Sequence, residues 1–363
     1  MQSLFILVFG FVVIRFLVTL TNVLLNPKLP TKTTTHSAFL SILIPARNEA
    51  ANIGNTIQHI LKQDFQHFEL IVLDDHSTDA TAQIVQEWAN AHPQIKLIAG
   101  APLPKGWLGK NWACHQLAQS AKGDYLLFVD ADVCVYNQLI PAALTEMKAK
   151  ELTLLSIFPD QHFGTWGERI VVPIMHYLLL TMLPLRFVRL FPQSSLAAAN
   201  GQFMLFQAAD YHKHQFHQQV KQKVTEDIEI VKLIKRNGLF AGTYLGNNLV
   251  ACRMYSSWNE SVQGFSKNLL AGFGSILGLL VFMGLVFFAY FPIFWLEPQW
   301  MVYILPFILI TNGLLAWLSN QSSWQTICLH PLKMLSLCLI ACLSIYRNLT
   351  RTNQWKGRNI SIK

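Results

Sequence analysis

The chain has 363 residues, 52% of them hydrophobic and 13% charged, with a formal net charge of +8 and a mean hydropathy of +0.32. That balance excludes a pair of ordinary soluble domains and points to an integral membrane protein. Lys and Arg are scattered or flank apolar runs, which argues against a nucleic-acid surface and for membrane-surface and phosphate chemistry.

In chain order, residues 3–25 form an apolar run with one charge, Arg15. At about 1.5 Å per residue it is long enough for a hydrocarbon core of about 30 Å. It has no early Lys or Arg and no small-residue cleavage site, so an uncleaved anchor is expected, with a polar linker completing residues 1–38.

From Phe39 short β-branched runs alternate with helical ones. Strands are expected at 40–45, 68–74, 95–99 and 125–130, and helices at 50–62, 79–91, 110–121 and 228–236. This is the pattern of an α/β layer with a mixed, mainly parallel sheet. Residues 170–191 are apolar but carry Pro173, His176, Pro184, Arg186 and Arg189, which suits a helix lying in the membrane interface. Three further apolar stretches, 269–295, 301–318 and 326–346, read as spans, with 269–295 the clearest. If the head is cytoplasmic, three spans would put the basic tail 347–363 outside, against the positive-inside tendency. The weakest span is 326–346, interrupted by His330, Pro331 and Lys333. The tail itself is expected on lipid headgroups or, through 355–358, folded back on the head.

In open α/β sheets ligands bind beyond the carboxyl ends of the strands, and here those ends are acidic. The first strand runs into Arg47-Asn-Glu49, the second into Asp74-Asp75-His-Ser-Thr-Asp79, the fourth into Asp130-Ala-Asp132. Two carboxylates one residue apart at the end of an apolar strand, with no basic residue next in sequence, suit a hard divalent cation, Mg²⁺ or Mn²⁺, and the diphosphate it carries. Asp79 reads as a helix cap, leaving Asp75 as an acceptor for a base N–H. Lys110 enters a helix from a glycine-containing loop, where ammonium and backbone amides face phosphate oxygens. Thr225-Glu226-Asp227 taken alone is ordinary helix-start grammar, with Thr225 as N-cap. His212, His214 and His217 lie in a polar segment containing lysine and read as a solvated helix or loop rather than a metal site. The six cysteines contain no C-x-x-C pair, which suits neither a zinc site nor a disulfide framework.

Taken in order, Ile-Pro-Ala-Arg-Asn-Glu, Val-Leu-Asp-Asp-His-Ser-Thr-Asp, Gly-Lys-Asn-Trp-Ala, Gly-Asp-Tyr-Leu-Leu-Phe-Val-Asp-Ala-Asp and Thr-Glu-Asp-Ile-Glu resemble the family 2 inverting glycosyltransferases with the GT-A fold, over about residues 39–268. The flanking apolar segments are similar to the membrane members associated with carotenoid and hopanoid pathways. The resemblance implies a cytoplasmic catalytic domain at 39–268, transmembrane helices at 269–346 and a multi-pass cell-membrane protein. It implies a nucleotide diphosphate sugar, a UDP-sugar in particular, held by Glu49, Asp75, Lys110 and Asp130. A divalent cation would sit on Asp130 and Asp132, and Asp227 would be the general base. A lipid acceptor of carotenoid or hopanoid type would sit near Gly201, Gln202 and Glu226. The Gln-x-x-Arg-Trp signature of processive synthases is missing; the corresponding stretch reads Arg253-Met-Tyr-Ser-Ser-Trp258. The alternatives are a polyprenyl-phosphate sugar synthase and a transport or scaffold protein with a degenerate head.

Overall fold

The computed structural model describes residues 2–34, 37–136, 138–288, 295, 297–352, 354–355 and 358–359, with backbone only at 287–288, 354–355 and 358–359. Expectations for the rest of the basic tail and for 289–294 lie outside the described residues.

Seven strands form the main sheet: β1 (Leu40–Ala46), β2 (Phe68–Asp74), β3 (Ile95–Ala99), β4 (Tyr125–Val129), β6 (Leu154–Phe158), β8 (Phe203–Gln207) and β9 (Ala241–Leu245). Their order is β3-β2-β1-β4-β8-β6-β9. Every pair is parallel except those of β8, which runs against β4 and β6. Three shorter strands, β5 (Val133–Val135), β7 (Asp160–Gln161) and β10 (Val250–Cys252), make a second small sheet. The expected strands match to within a residue.

Successive strand side chains point to opposite faces, so alternate residues divide between two cores. Ile42, Leu70, Val72, Leu127 and Val129 enter one core with α2 (Ile53–Leu61) and α5 (Leu139–Ala149). Leu43, Ile71, Leu73, Leu126 and Phe128 enter the other. α3 (Thr81–Ala91) flanks β3, and α4 (Gly109–Ser120) packs on β1.

The second core does not stop at the head. It continues without a break through Leu180, Leu270, Leu279, Leu315, Leu337 and Ile340, so the apolar helices are packed onto the sheet. The linker is also anchored: Leu29 N–H donates to the Leu245 carbonyl and Leu245 N–H to that of Pro27, both at 3.0 Å.

Three expectations about the apolar segments are corrected. Residues 170–191 are not one helix but belong to α6 (Trp166–Val171), α7 (Ile174–Met182) and α8 (Phe187–Leu190), interrupted at Pro173 and Pro184, where a missing N–H and ring sterics break an α-helix. After α9 (Ala208–His214), α10 (Phe216–Gln219) and α11 (Glu226–Arg236), the expected span at 269–295 is a bent pair instead. α12 (Trp258–Phe273) meets the next helix, which opens with α13 (Ile276–Met283), at 107°. Gly274, at φ +73°, ends α12 in the left-handed conformation that glycine adopts without strain, and Ser275 caps α13 through the Gly278 N–H. α14 (Met301–Leu318) is as expected. After α15 (Ser323–Cys328), however, α16 runs unbroken over His330–Thr350, because Pro331 occupies its first turn, where its missing N–H costs nothing. Among the described residues three helices are long and apolar enough to cross a membrane, Gln2–Leu25 (α1), Pro298–Leu318 and His330–Thr350, or four if the bent pair is one span.

Candidate active site

The carboxyl ends of β1, β2 and β4 and the start of α11 open into a single cavity of about 1,590 Å³. Glu49, Asp75, Lys110, Asp130, Asp132, Gly201, Gln202, Glu226 and Asp227, the residues singled out from sequence, all line it.

The β1 and β2 loops are stitched together. Arg47 Nη1 donates to the Asp75 carbonyl at 2.6 Å, and Thr78 N–H donates to Asn48 Oδ1 at 2.8 Å. Asp79 accepts from the Thr81 and Ala50 amides at 3.0 and 3.1 Å, so it bridges two loops as well as binding the first turn of α3, whose N-cap is Ala80. Asp75 is 5% exposed.

The β4 end is organised by residues distant in sequence. Asp130 N–H donates to the Gln202 carbonyl at 3.1 Å, since β8 pairs antiparallel with β4 and brings the Asn200-Gly201-Gln202 loop alongside. No basic residue stands next to Asp130 in sequence, but the fold supplies one: Lys110, from α4, lies 2.9 and 3.1 Å from its two carboxylate oxygens and 3.5 Å from Glu226. Those two carboxylates hold the ammonium pKa well above its usual value, against the opposing effect of burial. A Cβ on Gly201 would come within 3.0 Å of Glu226 Oε1 and 3.1 Å of Lys110 Nζ, so only glycine leaves this bridge undisturbed. Gly201→Ala is expected to reduce activity at least tenfold with little change in melting temperature, checked by thermal unfolding beside turnover.

Asp132 is the strained member. Its Oδ1 is buried with no hydrogen-bond partner. Burial, followed by the charges of Asp130 and Glu49, pushes its pKa up to about 7. Burial lifts Glu226 to about 7 as well, with Asp227 adding to the rise and Lys110 opposing it. Seven carboxylates line the cavity that holds Lys110, and an orphaned hard oxygen among them, on Asp132, fits a divalent cation.

At α11 the N-cap Thr225 makes no side-chain cap bond. Asp227 uses the local amides instead: Oδ1 accepts from Ile228 N–H at 2.8 Å, and Oδ2 from Gly201 N–H at 3.1 Å. Burial raises its pKa even so. The histidine segment reads differently from expected at one position: His217 is buried with Nδ1 2.7 Å from the Tyr211 hydroxyl, while His212 is exposed.

Two features went unnoticed in the sequence. Thr165-x-x-Glu168 is a complete capping box on α6, and Glu168, fully buried, also holds Arg253 through Nε and Nη2, both at 3.0 Å. The Thr-x-x-Glu spacing was the available signal. The second is the far half of the cavity, walled by Leu178, Leu179 and Met182 of α7, Leu269 and Phe273 of α12, and Ile340 of α16. No local motif announces such a wall.

The family profile described as Glycosyl transferase family 2 matches residues 41–211, the stretch that supplies β1 to β4, both acidic loops and Gly201. Over that stretch the chain is similar to the family 2 glycosyl transferases. Two relatives named 4,4'-diaponeurosporenoate glycosyltransferase, from Staphylococcus haemolyticus (strain JCSC1435) and Staphylococcus aureus (strain MRSA252), are 27% and 28% identical over 239 residues. Those residues are 65% of this chain, which spans 62% of the length of each relative. The fold is shared with a mannosyltransferase from Pyrobaculum calidifontis solved in complex with GDP-Man and Mn²⁺, at a TM-score of 0.60, 14% identity and coverage of 95% of this chain and 99% of that one. The sheet is therefore of the GT-A type, mixed and mainly parallel.

Proposed function

We infer that this chain is a multi-pass membrane glycosyltransferase, its catalytic domain cytoplasmic, that moves a sugar from a nucleotide diphosphate sugar to a lipophilic acceptor with inversion. The observation that carries this reading is the two-sided cavity, acidic at the strand ends and apolar between α7, α12 and α16. A nucleotide donor fits the first half and a lipid acceptor the second. The relatives' acceptor, a carotenoid acid by their name, is of that class.

In the donor half, Asp75 would accept from the base and Lys110 would face the phosphates, with Glu49 lining the same half at the β1 end. Asp130 and Asp132 would hold a divalent cation, Mg²⁺ or Mn²⁺; the structural relative contains Mn²⁺ with its sugar nucleotide. When bound, that cation offsets charge on the departing diphosphate. Among the described residues no cluster of three or more His, Cys, Asp or Glu is arranged to hold a metal, so diphosphate oxygens and water would complete its coordination.

Asp227 is the base. Its carboxylate is fixed by two amides, and no cation lies within ion-pair distance of it among the described residues, whereas the neighbouring Glu226 is engaged with Lys110. As the acceptor oxygen attacks the anomeric carbon, its proton passes to Asp227 while the carbon–oxygen bond to the diphosphate breaks and the diphosphate keeps the electron pair. One displacement inverts the centre and needs no covalent nucleophile. Gly201, Gln202 and Glu226 line the place where the acceptor oxygen must arrive.

The test uses purified full-length protein in lipid with a panel of labelled nucleotide sugars. Label is expected in the organic extract, in a product without phosphorus; label in polymer, or in no fraction with any donor, contradicts the reading. Leu178→Trp, which narrows the apolar half, is expected to raise the acceptor KM about tenfold and leave nucleotide binding unchanged. An unchanged acceptor KM would remove the acceptor from that wall.

A further inference from the structure

By length and composition α16 is a membrane span: 21 residues, about 31 Å at 1.5 Å per residue. Its ends argue otherwise. α14 finishes on the head, where Asn320 Nδ2 donates to Asp160 Oδ1 at 3.0 Å and Lys28 Nζ donates to Asn320 Oδ1 at 2.8 Å. α15 stays there, since Arg169 of α6 donates to Gln325 Oε1 at 2.8 Å. At the other end of α16, Arg347 Nη1 donates to the Gln263 carbonyl at 3.1 Å and to Ser266 Oγ at 2.6 Å on α12. Arg347 and Thr352 line the same cavity as Asp132 and Asp227. A helix whose start and finish are both bonded to one side of the molecule does not deliver its terminus to the other.

The side chains divide accordingly. Leu332, Leu335, Leu339, Tyr346 and Leu349 are 39–68% exposed and follow spacings of 3, 4, 7 and 3, a single apolar stripe along the helix. The opposite face is buried on the head and holds the polar groups Lys333, Ser336 and Ser344. α1 and α14 also carry exposed apolar side chains, such as Leu7, Ile14, Leu305 and Ile310. The basic Arg347 and Arg351 lie at its end, where anionic headgroups would sit.

We propose that α16 does not cross the membrane: it lies along the bilayer surface on the head side, its Leu332–Leu349 stripe buried in lipid and its last turn forming part of the catalytic cavity wall. Among the described residues α1 and α14 are then the crossing helices. Arg347 and Arg351 fall on the same side as the head, in line with the positive-inside tendency. This does not depend on what reaction the cavity performs.

The test is a depth series on full-length protein in vesicles, in a background with the exposed Cys328 and Cys342 changed to Ser. Nitroxides placed singly at 332, 335, 339, 346 and 349 should all report one shallow depth, with oxygen and nickel-chelate accessibilities varying less than about twofold along the helix. A profile that passes through a deep maximum near 339 overturns the proposal. In the same background, Thr350→Cys should react with an impermeant maleimide from the side that labels the exposed head variant Gln86→Cys. A thiol reached from the opposite side, or from neither, also overturns it.

Discussion

Asp227→Asn is expected to lower turnover by about 10²–10⁴-fold while leaving donor affinity within a factor of about two. The substitution keeps the size of the side chain and an oxygen able to accept one of the two amides that fix it, from Ile228 and Gly201. What it removes is the capacity to take a proton. Because the proposed role of Asp227 is toward the acceptor and Lys110 is committed to Asp130 and Glu226, the donor half should bind as before. The companion variant Glu226→Gln separates the two neighbouring acids: it should perturb Lys110 and raise the donor KM, with a smaller loss of turnover. The reverse pattern would make Glu226 the base. Single-turnover rates beside equilibrium nucleotide binding read both quantities.

Asp132→Asn carries the second large effect, and it runs in opposite directions for stability and function. In the cation-free protein the Asp132 carboxyl is pushed up to about 7, against about 3.9 for an unperturbed aspartate. The folded state therefore binds more protons than the unfolded state between those values, and stability falls as pH rises through that window. Removing the charge should raise cation-free stability at pH 8 by about 1–2 kcal/mol, with the difference vanishing near pH 4. Cation binding needs the ionised carboxylate, so affinity for Mn²⁺ should weaken by up to about tenfold per unit as pH falls below about 7. Activity should be lost in the same variant that melts later. A variant that is both less stable and less active at pH 8 would mark Asp132 as a structural residue.

The first four strands were legible because each is a short apolar run bounded by turn residues, and β2 and β4 run directly into carboxylates that break the apolar pattern; β6, β8 and β9 carry no such mark and were not singled out. The same property made the site legible: Asp75, Asp130 and Asp132 are announced by the strands that precede them. Lys110 was assigned to phosphate from its glycine-containing loop, but its contact with Asp130 depends on how α4 packs against β1, which spacing does not encode. Asp227 was hidden by helix-start grammar, since Thr-Glu-Asp predicts a cap whether or not one forms, and Thr225 makes none. Hydropathy misled at 269–295, where an apolar window does not register the turn at Gly274-Ser275. At Pro331 the proline was read as an interruption when its position marks a helix start. The apolar wall of the cavity comes from α7, α12 and α16 together, and only packing brings them to the strand ends.

The central claim is that carboxylates from separate segments line one nucleotide-sugar site whose divalent cation rests on Asp130 and Asp132. Calorimetric titration of UDP into purified full-length protein, with and without Mn²⁺, addresses it most directly. The predicted result is binding strengthened at least tenfold by Mn²⁺ in the wild type, and the same weak binding with or without Mn²⁺ in Asp132→Asn. UDP affinity that ignores Mn²⁺ in the wild type, or a Mn²⁺ dependence that survives Asp132→Asn intact, would contradict it.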